Sequence, residues 1–169
     1  MRAALVLGLL LLTCLPAYGQ TNSHEDLEVG FVTGPLLPSR FQDITDVMPF
    51  WGLRFGHPWG SFRPEYTVKY SHAHGADYFL FSGVMRNSIG GPKTGAFWTI
   101  GFDIHRYQKN GSSLKMFNGW KIGFGGFMPE QSMVRFRTDF AFSIIPGRSL
   151  FVGLGFHMRL GEGAAKEAQ

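Results

Sequence analysis

The chain has 169 residues and a net charge of +4, a length suited to a single domain of about 100–200 residues. Its 17 Phe and 15% aromatic content exclude a disordered chain; its 23 Gly follow no three-residue period, which excludes collagen, and its one Cys excludes a disulfide scaffold. Its 16 Lys and Arg against 12 Asp and Glu are scattered, so no basic nucleic-acid patch is expected.

Residues 1–19 have the form of a secretory signal peptide. Arg2 supplies the positive start and Ala3 to Leu12 the apolar run. Ala17 and Gly19 are small residues at the positions a signal peptidase reads, which puts cleavage before Gln20. The rival is a lipoprotein signal at Cys14, against which Thr13 argues. The apolar run is shorter than the ~20 residues a membrane helix needs. Residues 20–169 are expected to be the mature domain. It has no cysteine, so its stability must come from packing, strand pairing or a membrane.

From there the chain alternates with period two, the strand period. A first, weaker strand is expected at 27–34, with Val29 and Phe31 on one face. Trp51, Leu53 and Phe55 then alternate with Gly52, Arg54 and Gly56. In 62–70, Phe62, Tyr66, Val68 and Tyr70 oppose Arg63, Glu65, Thr67 and Lys69. In 77–86 both faces carry apolar residues; Ser82 and Arg86 favour Phe79, Phe81 and Met85 as the apolar face. Trp98, Ile100, Phe102 and Ile104 oppose Thr99, Gly101, Asp103 and His105. Trp120, Ile122 and Phe124 oppose Lys121, Gly123 and Gly125. The last two strands are expected at 134–144 and 150–160, where Phe140 and Phe156 lie on the apolar rows and Arg137, Asp139 and Arg159 on the polar ones. Turn residues such as His74-Gly75, Asn110-Gly111 and Pro146-Gly147 separate the runs. The longest connection is expected at 35–49.

Eight such strands build either a soluble barrel with the apolar face inside or a membrane barrel with it outside. The polar face decides. It carries Gly52, Gly101, Gly123, Gly125, Gly153 and Gly155, which would weaken a solvated surface for no gain but make room in a narrow lumen. Beside them stand charges of both signs: Glu28, Glu65, Asp103 and Asp139 against Arg54, Arg63, Lys69, Lys121, Arg135, Arg137 and Arg159. A confined lumen requires such pairing. Trp51, Tyr70 and Tyr107 are expected at one rim and Trp59 and Trp98 at the other, as an aromatic girdle. The expected fold is therefore all-β, an eight-stranded antiparallel up-and-down transmembrane β-barrel. An even strand number returns both ends to one side, here the periplasm, with residues 161–169 as a short tail. Connections at 35–49, 72–76, 106–115 and 146–149 then face outward, and 57–61, 88–94 and 128–131 are periplasmic turns.

The signal peptide, the eight amphipathic strands and the closing strand 150–160 resemble the small outer-membrane barrels of the OmpA-transmembrane-domain and OmpX type. The resemblance implies a monomer in the outer membrane, with lipid, lipopolysaccharide and the barrel-insertion machinery as its partners. Barrels of this type usually end in an aromatic residue. Here Leu160 ends the strand, a departure from that pattern, and Phe156, Met158 and Leu160 are expected to serve as an internal signal instead.

Catalytic candidates are few. Lipid A deacylase barrels carry a His-x-Ser pair, and Ser71-His72-Ala73-His74 has no serine two residues after either histidine. His72 and His74 would share one side if extended and could clip a metal, although polar loop histidines are the commoner case. Asp103 and His105 share a face, as in the orienting half of a triad, or as a plain lumen hydrogen-bond pair. The expectation is a structural or surface outer-membrane barrel with a filled polar lumen, no catalysis and no cofactor. The alternatives are a lipid A-modifying hydrolase and a soluble lipocalin-like carrier.

Overall fold

A computed structural model describes residues 27–38, 46–59, 62–89, 95–128, 134–144 and 148–160. The expected signal peptide 1–19 and tail 161–169 lie outside the described residues. Eight strands follow one another: β1 (Leu27–Pro38), β2 (Met48–Gly56), β3 (Arg63–Ala73), β4 (Ala76–Ser88), β5 (Ala96–Lys109), β6 (Lys115–Phe127), β7 (Val134–Ser143) and β8 (Ser149–Leu160). Each pairs antiparallel with its neighbours in sequence, and β1 pairs with β8 to close the barrel. The all-β, eight-stranded up-and-down barrel expected from the sequence is the observed fold. Leu27 pairs with Leu160, so β1 begins and β8 ends at one rim, called here the terminal rim. The opposite rim is the far rim.

Local chemistry accounts for the turns that can be described. Between β3 and β4, His74 and Gly75 have φ of 52° and 71°, the positive values that a two-residue primed hairpin demands. Asn110 and Gly111, at 45° and 72°, turn β5 toward β6. Two connections are shorter than expected. Leu36 pairs with Met48 and Pro35 with Pro49, so β1 and β2 take up both ends of the span assigned to a loop at 35–49 and leave 39–47 between them. Neither proline has an N–H, and their pairing leaves no donor unmatched. The connection expected at 106–115 narrows to 110–114, because Tyr107 pairs with Lys115 and Arg106 with Met116.

The alternation expresses itself inside out relative to a soluble barrel. The outward row of β2 is Trp51, Leu53 and Phe55, all exposed, and its inward row is Gly52, Arg54 and Gly56, all buried. Trp120 is 62% exposed and Leu154 60%, and Phe124, Phe136, Phe140 and Phe142 are about half exposed. Such a belt of large apolar side chains far exceeds the isolated patches of a water-soluble monomer. Phe79 faces out while Ser82 and Arg86 face in, which resolves the ambiguous phase of β4 as the sequence favoured. Trp51 and Tyr70 stack edge to face at 5.8 Å on the outer surface near the far rim. Tyr107 does not join them. It shares the inward phase of Asp103 and His105, is buried, and packs on Tyr78 at 5.6 Å.

Small residues on the inward face make the filling possible. A Cβ on Gly125 would lie 2.3 Å from the Phe97 ring. One on Gly30 would lie 2.5 Å from the His157 ring. Each glycine is the space that a bulky lumen neighbour occupies.

Candidate functional site

The lumen concentrates the chemistry of this chain. It divides along the barrel axis into an apolar half toward the far rim and a charged half toward the terminal rim.

In the far half, Val32, Leu36, Met48, Phe50, Tyr78, Leu80, Tyr107 and Phe151 form one buried cluster. Phe50 and Tyr78 meet edge to face at 5.1 Å. These residues stand on the inward rows, where the sequence pattern led us to expect a polar lumen throughout. That expectation fails for this half.

The charged half is a network of ion pairs spread over six strands. Arg137 Nη1 donates to Glu65 Oε1 at 2.6 Å and Nη2 to Glu65 Oε2 at 3.0 Å. Its Nε and Nη2 also donate to Asp139 Oδ1 at 2.9 and 2.7 Å. Arg54 Nη2 donates to Asp139 Oδ2 at 3.0 Å, and its Nη1 to His157 Nε2 at 3.2 Å. Glu28 binds Arg63 at 3.0 Å and Arg86 at 2.7 Å. Arg86 reaches Glu65 as well, at 2.7 Å. Bidentate guanidinium–carboxylate geometry of this kind is the strongest form of ion pair. Two rings complete the packing: the Arg137 guanidinium lies 4.2 Å from the Phe97 centroid, and that of Arg86 lies 4.9 Å from Phe127.

A third group spans the middle. Ser143 Oγ donates to Asp103 Oδ2 at 2.5 Å, and Lys121 Nζ lies 3.5 Å from Asp103 Oδ1. Lys121 also donates to Ser82 at 3.0 Å. His105 Nδ1 shares a 2.6 Å hydrogen bond with the Tyr78 hydroxyl, and its Nε2 lies 3.9 Å from Asp103. The serine therefore sits on the carboxylate, not on the imidazole, so the contacts run in a different order from a nucleophilic triad. Lys69 Nζ lies 3.5 Å from the Phe151 centroid, where charged and apolar halves meet.

The eleven residues expected to form the lumen charge network all face inward. Arg135 and Arg159 line the terminal mouth, and the other nine form the pairs and contacts above, Lys69 through the Phe151 ring. Arg86 and His157 belong to the network and were missed as members. Arg86 had served only to phase its strand, and His157 gives no sign in the sequence of facing Arg54 from 103 residues away. His72 and His74 do not converge on a metal. His74 occupies the turn and reaches the Val47 carbonyl at 3.3 Å, whereas His72 Nδ1 meets Asp77 at 2.8 Å. The positive φ of His74 breaks the strand alternation that would have aligned them. Glu28, Glu65 and His157 come close enough to hold a cation. Arg86 binds both carboxylates, and Arg63 and Arg137 hold one each, so the site is already filled by positive charge.

Two voids lie among the described residues of the lumen. A pocket of about 10 Å³ lies between Arg54, Lys69 and Lys121, room for about one water. A larger cavity of about 150 Å³ lies at the terminal mouth, against Glu28, Arg63 and Arg86.

No protein-family model and no curated protein matches the sequence. Solved structures match the fold. The N-terminal β-barrel domain of Pseudomonas aeruginosa OprF superimposes with a TM-score of 0.66 at 11% identity, over 81% of this chain and 98% of that one. Neisserial surface protein A gives 0.57 at 13% identity, over 83% and 100%. The Yersinia pestis outer-membrane protein Ail in a phospholipid nanodisc gives 0.53 at 10% identity, over 82% and 100%. The chain is thus similar in architecture to small eight-stranded outer-membrane barrels.

Proposed function

We propose that this chain is an integral outer-membrane barrel of structural or surface type, without a through-pore and without catalysis. The observation that carries the reading is the inversion of the barrel: exposed aromatic and aliphatic rows outside, paired charges inside. In water, that outer belt would aggregate. In hydrocarbon it is the favourable face, and the closed strand ladder leaves no unpaired edge. The expected signal peptide and the likeness in fold to outer-membrane barrels support the same location. The filled lumen supports a wall or surface element over a diffusion channel, since eight strands leave an interior that side chains can fill.

The expected partners follow from this placement. Lipid and lipopolysaccharide would contact the outer rows. The insertion machinery would read the outward row Phe156, Met158 and Leu160, each about two-fifths exposed on the last strand. Cell fractionation tests the reading. The protein should sediment with the outer membrane, resist a carbonate wash, and migrate faster on gels unboiled than boiled. Recovery in the soluble periplasmic fraction without detergent would retire it in favour of a soluble carrier.

A further inference from the structure

We propose that the outer wall of the barrel near the far rim carries a headgroup site for a phosphorylated glycolipid, centred on Arg106. The proposal rests on the outer-membrane reading above, in which this rim meets the outside leaflet. Apart from tyrosines, ionisable side chains stand on the outward rows of the eight strands at three positions, His72, Asp77 and Arg106. All three lie close to the far rim on the adjacent strands β3, β4 and β5. Toward the terminal rim the outward rows of the same strands hold Tyr66, Met85 and Trp98 instead. A guanidinium on a lipid-facing row is costly in hydrocarbon and is retained where it meets water or an anion.

Register places Arg106 at headgroup depth. Trp51 pairs with Tyr70, Tyr70 with Phe79, Phe79 with Arg106 and Arg106 with Met116. The guanidinium thus stands in the same row around the wall as the outer aromatic band, and such bands mark the membrane–water interface. Its contact among the described residues is the Phe79 ring, whose centroid lies 5.6 Å away. A ring contact uses none of the five N–H donors, so the planar fork is held in place and left able to grip paired phosphate oxygens. One step nearer the rim, His72, Asp77 and Gln108 form the next outward row, all exposed. The Tyr70 hydroxyl donates to Asp77 at 2.6 Å, and His72 Nδ1 meets the same carboxylate at 2.8 Å. Asp77 therefore takes its partners from β3, and among the described residues it forms no ion pair with Arg106. The row offers donors and acceptors to sugar hydroxyls just above the phosphate. A simple phospholipid would bring the phosphate but no sugar ring for that row. Below Arg106, Ile104, Phe81 and Trp120 continue the wall toward the midplane, where the acyl chains would lie.

The test uses residues 20–169 refolded in dodecyl maltoside and titrated with diphosphoryl lipid A, with binding read by native mass spectrometry. One lipid A should be retained per barrel, and phosphatidylglycerol should bind at least about tenfold more weakly. Arg106→Gln should weaken lipid A binding at least about tenfold, because a charge-assisted hydrogen bond is lost. Arg148→Gln removes the same charge from an exposed position at the same rim, three strands away, and should leave the affinity unchanged. Heat-modifiable migration shows that each variant is folded. If Arg106→Gln does not fold, the unaltered barrel decides with lipid A stripped of its phosphates, which should no longer be retained. Unchanged affinity in folded Arg106→Gln, an equal loss in Arg148→Gln, retention of the phosphate-free lipid, or equal binding of phosphatidylglycerol would each overturn the proposal. A barrel that stays soluble without detergent would overturn the outer-membrane reading and this site together, whereas a barrel that enters nanodiscs without selecting lipid A would remove this site alone.

Discussion

The two halves of the lumen close the same barrel by different physics. Toward the far rim, Phe50, Tyr78, Leu36 and Phe151 exclude water by packing, as in an ordinary protein core. Toward the terminal rim, Arg137, Glu65, Asp139 and Arg54 exclude it by mutual satisfaction. The apolar half tolerates small changes in shape, because dispersion is short-ranged and non-directional. The charged half does not, because removing one member leaves its partners buried without a counter-charge. Substitutions at matched depth should therefore differ most where a charge is stranded.

The largest effect is expected from Arg137→Ser. Glu65 would keep only Arg86 and Asp139 only Arg54, and the loss should be about 3–5 kcal/mol. Urea unfolding of the barrel in detergent measures it; a change under about 1 kcal/mol would show that water readily replaces the guanidinium. Phe50→Ala comes next, at about 3 kcal/mol by cavity formation in the apolar half. Its second readout is conductance in a planar bilayer. The charged half should still block the lumen, so no steady current is expected; an open channel would show that the apolar cluster alone is the seal. Ser143→Ala probes the boundary. It removes the hydroxyl from Asp103 but leaves Lys121, and should cost about 1–2 kcal/mol in the same unfolding assay. The smallest effect is expected outside the lumen. Phe140→Leu keeps an apolar group in lipid and should be nearly neutral, whereas Phe140→Arg should cost about 2–4 kcal/mol near the midplane. A costly Phe140→Leu beside a silent Arg137→Ser would reverse inside and outside.

The charged half was legible in the sequence and the apolar half was not. Charges at alternate positions, such as Arg63, Glu65 and Lys69, announce an inward face whenever the opposite row is Tyr66, Val68 and Tyr70. An apolar residue carries no such signal in a barrel whose outside is also apolar. Leu80 and Phe81 are adjacent and equally hydrophobic, yet one is buried in the lumen and the other lies on the outer face. Tyr107 was legible in principle, since its phase is that of Asp103 and His105, but its nearness to a strand end suggested a girdle. The extent of β1 and β2 was hidden by Pro35 and Pro49, which read as breakers until they are paired across the ladder.

The sequence by itself determined the class of fold, the number of strands and the side of the wall each charged residue faces. Period-two alternation and turn chemistry are local, and they act over a few residues whatever the rest of the chain does. Only the tertiary structure decided who meets whom. Arg137 finds Glu65 across 72 residues and Arg54 finds Asp139 across 85. Such pairs exist because ring closure brings β1 against β8 and stacks inward rows from distant strands at one depth. Closure is a property of all eight strands together, and so are the filled apolar half, the charged half, and the arginine-lined void at its mouth.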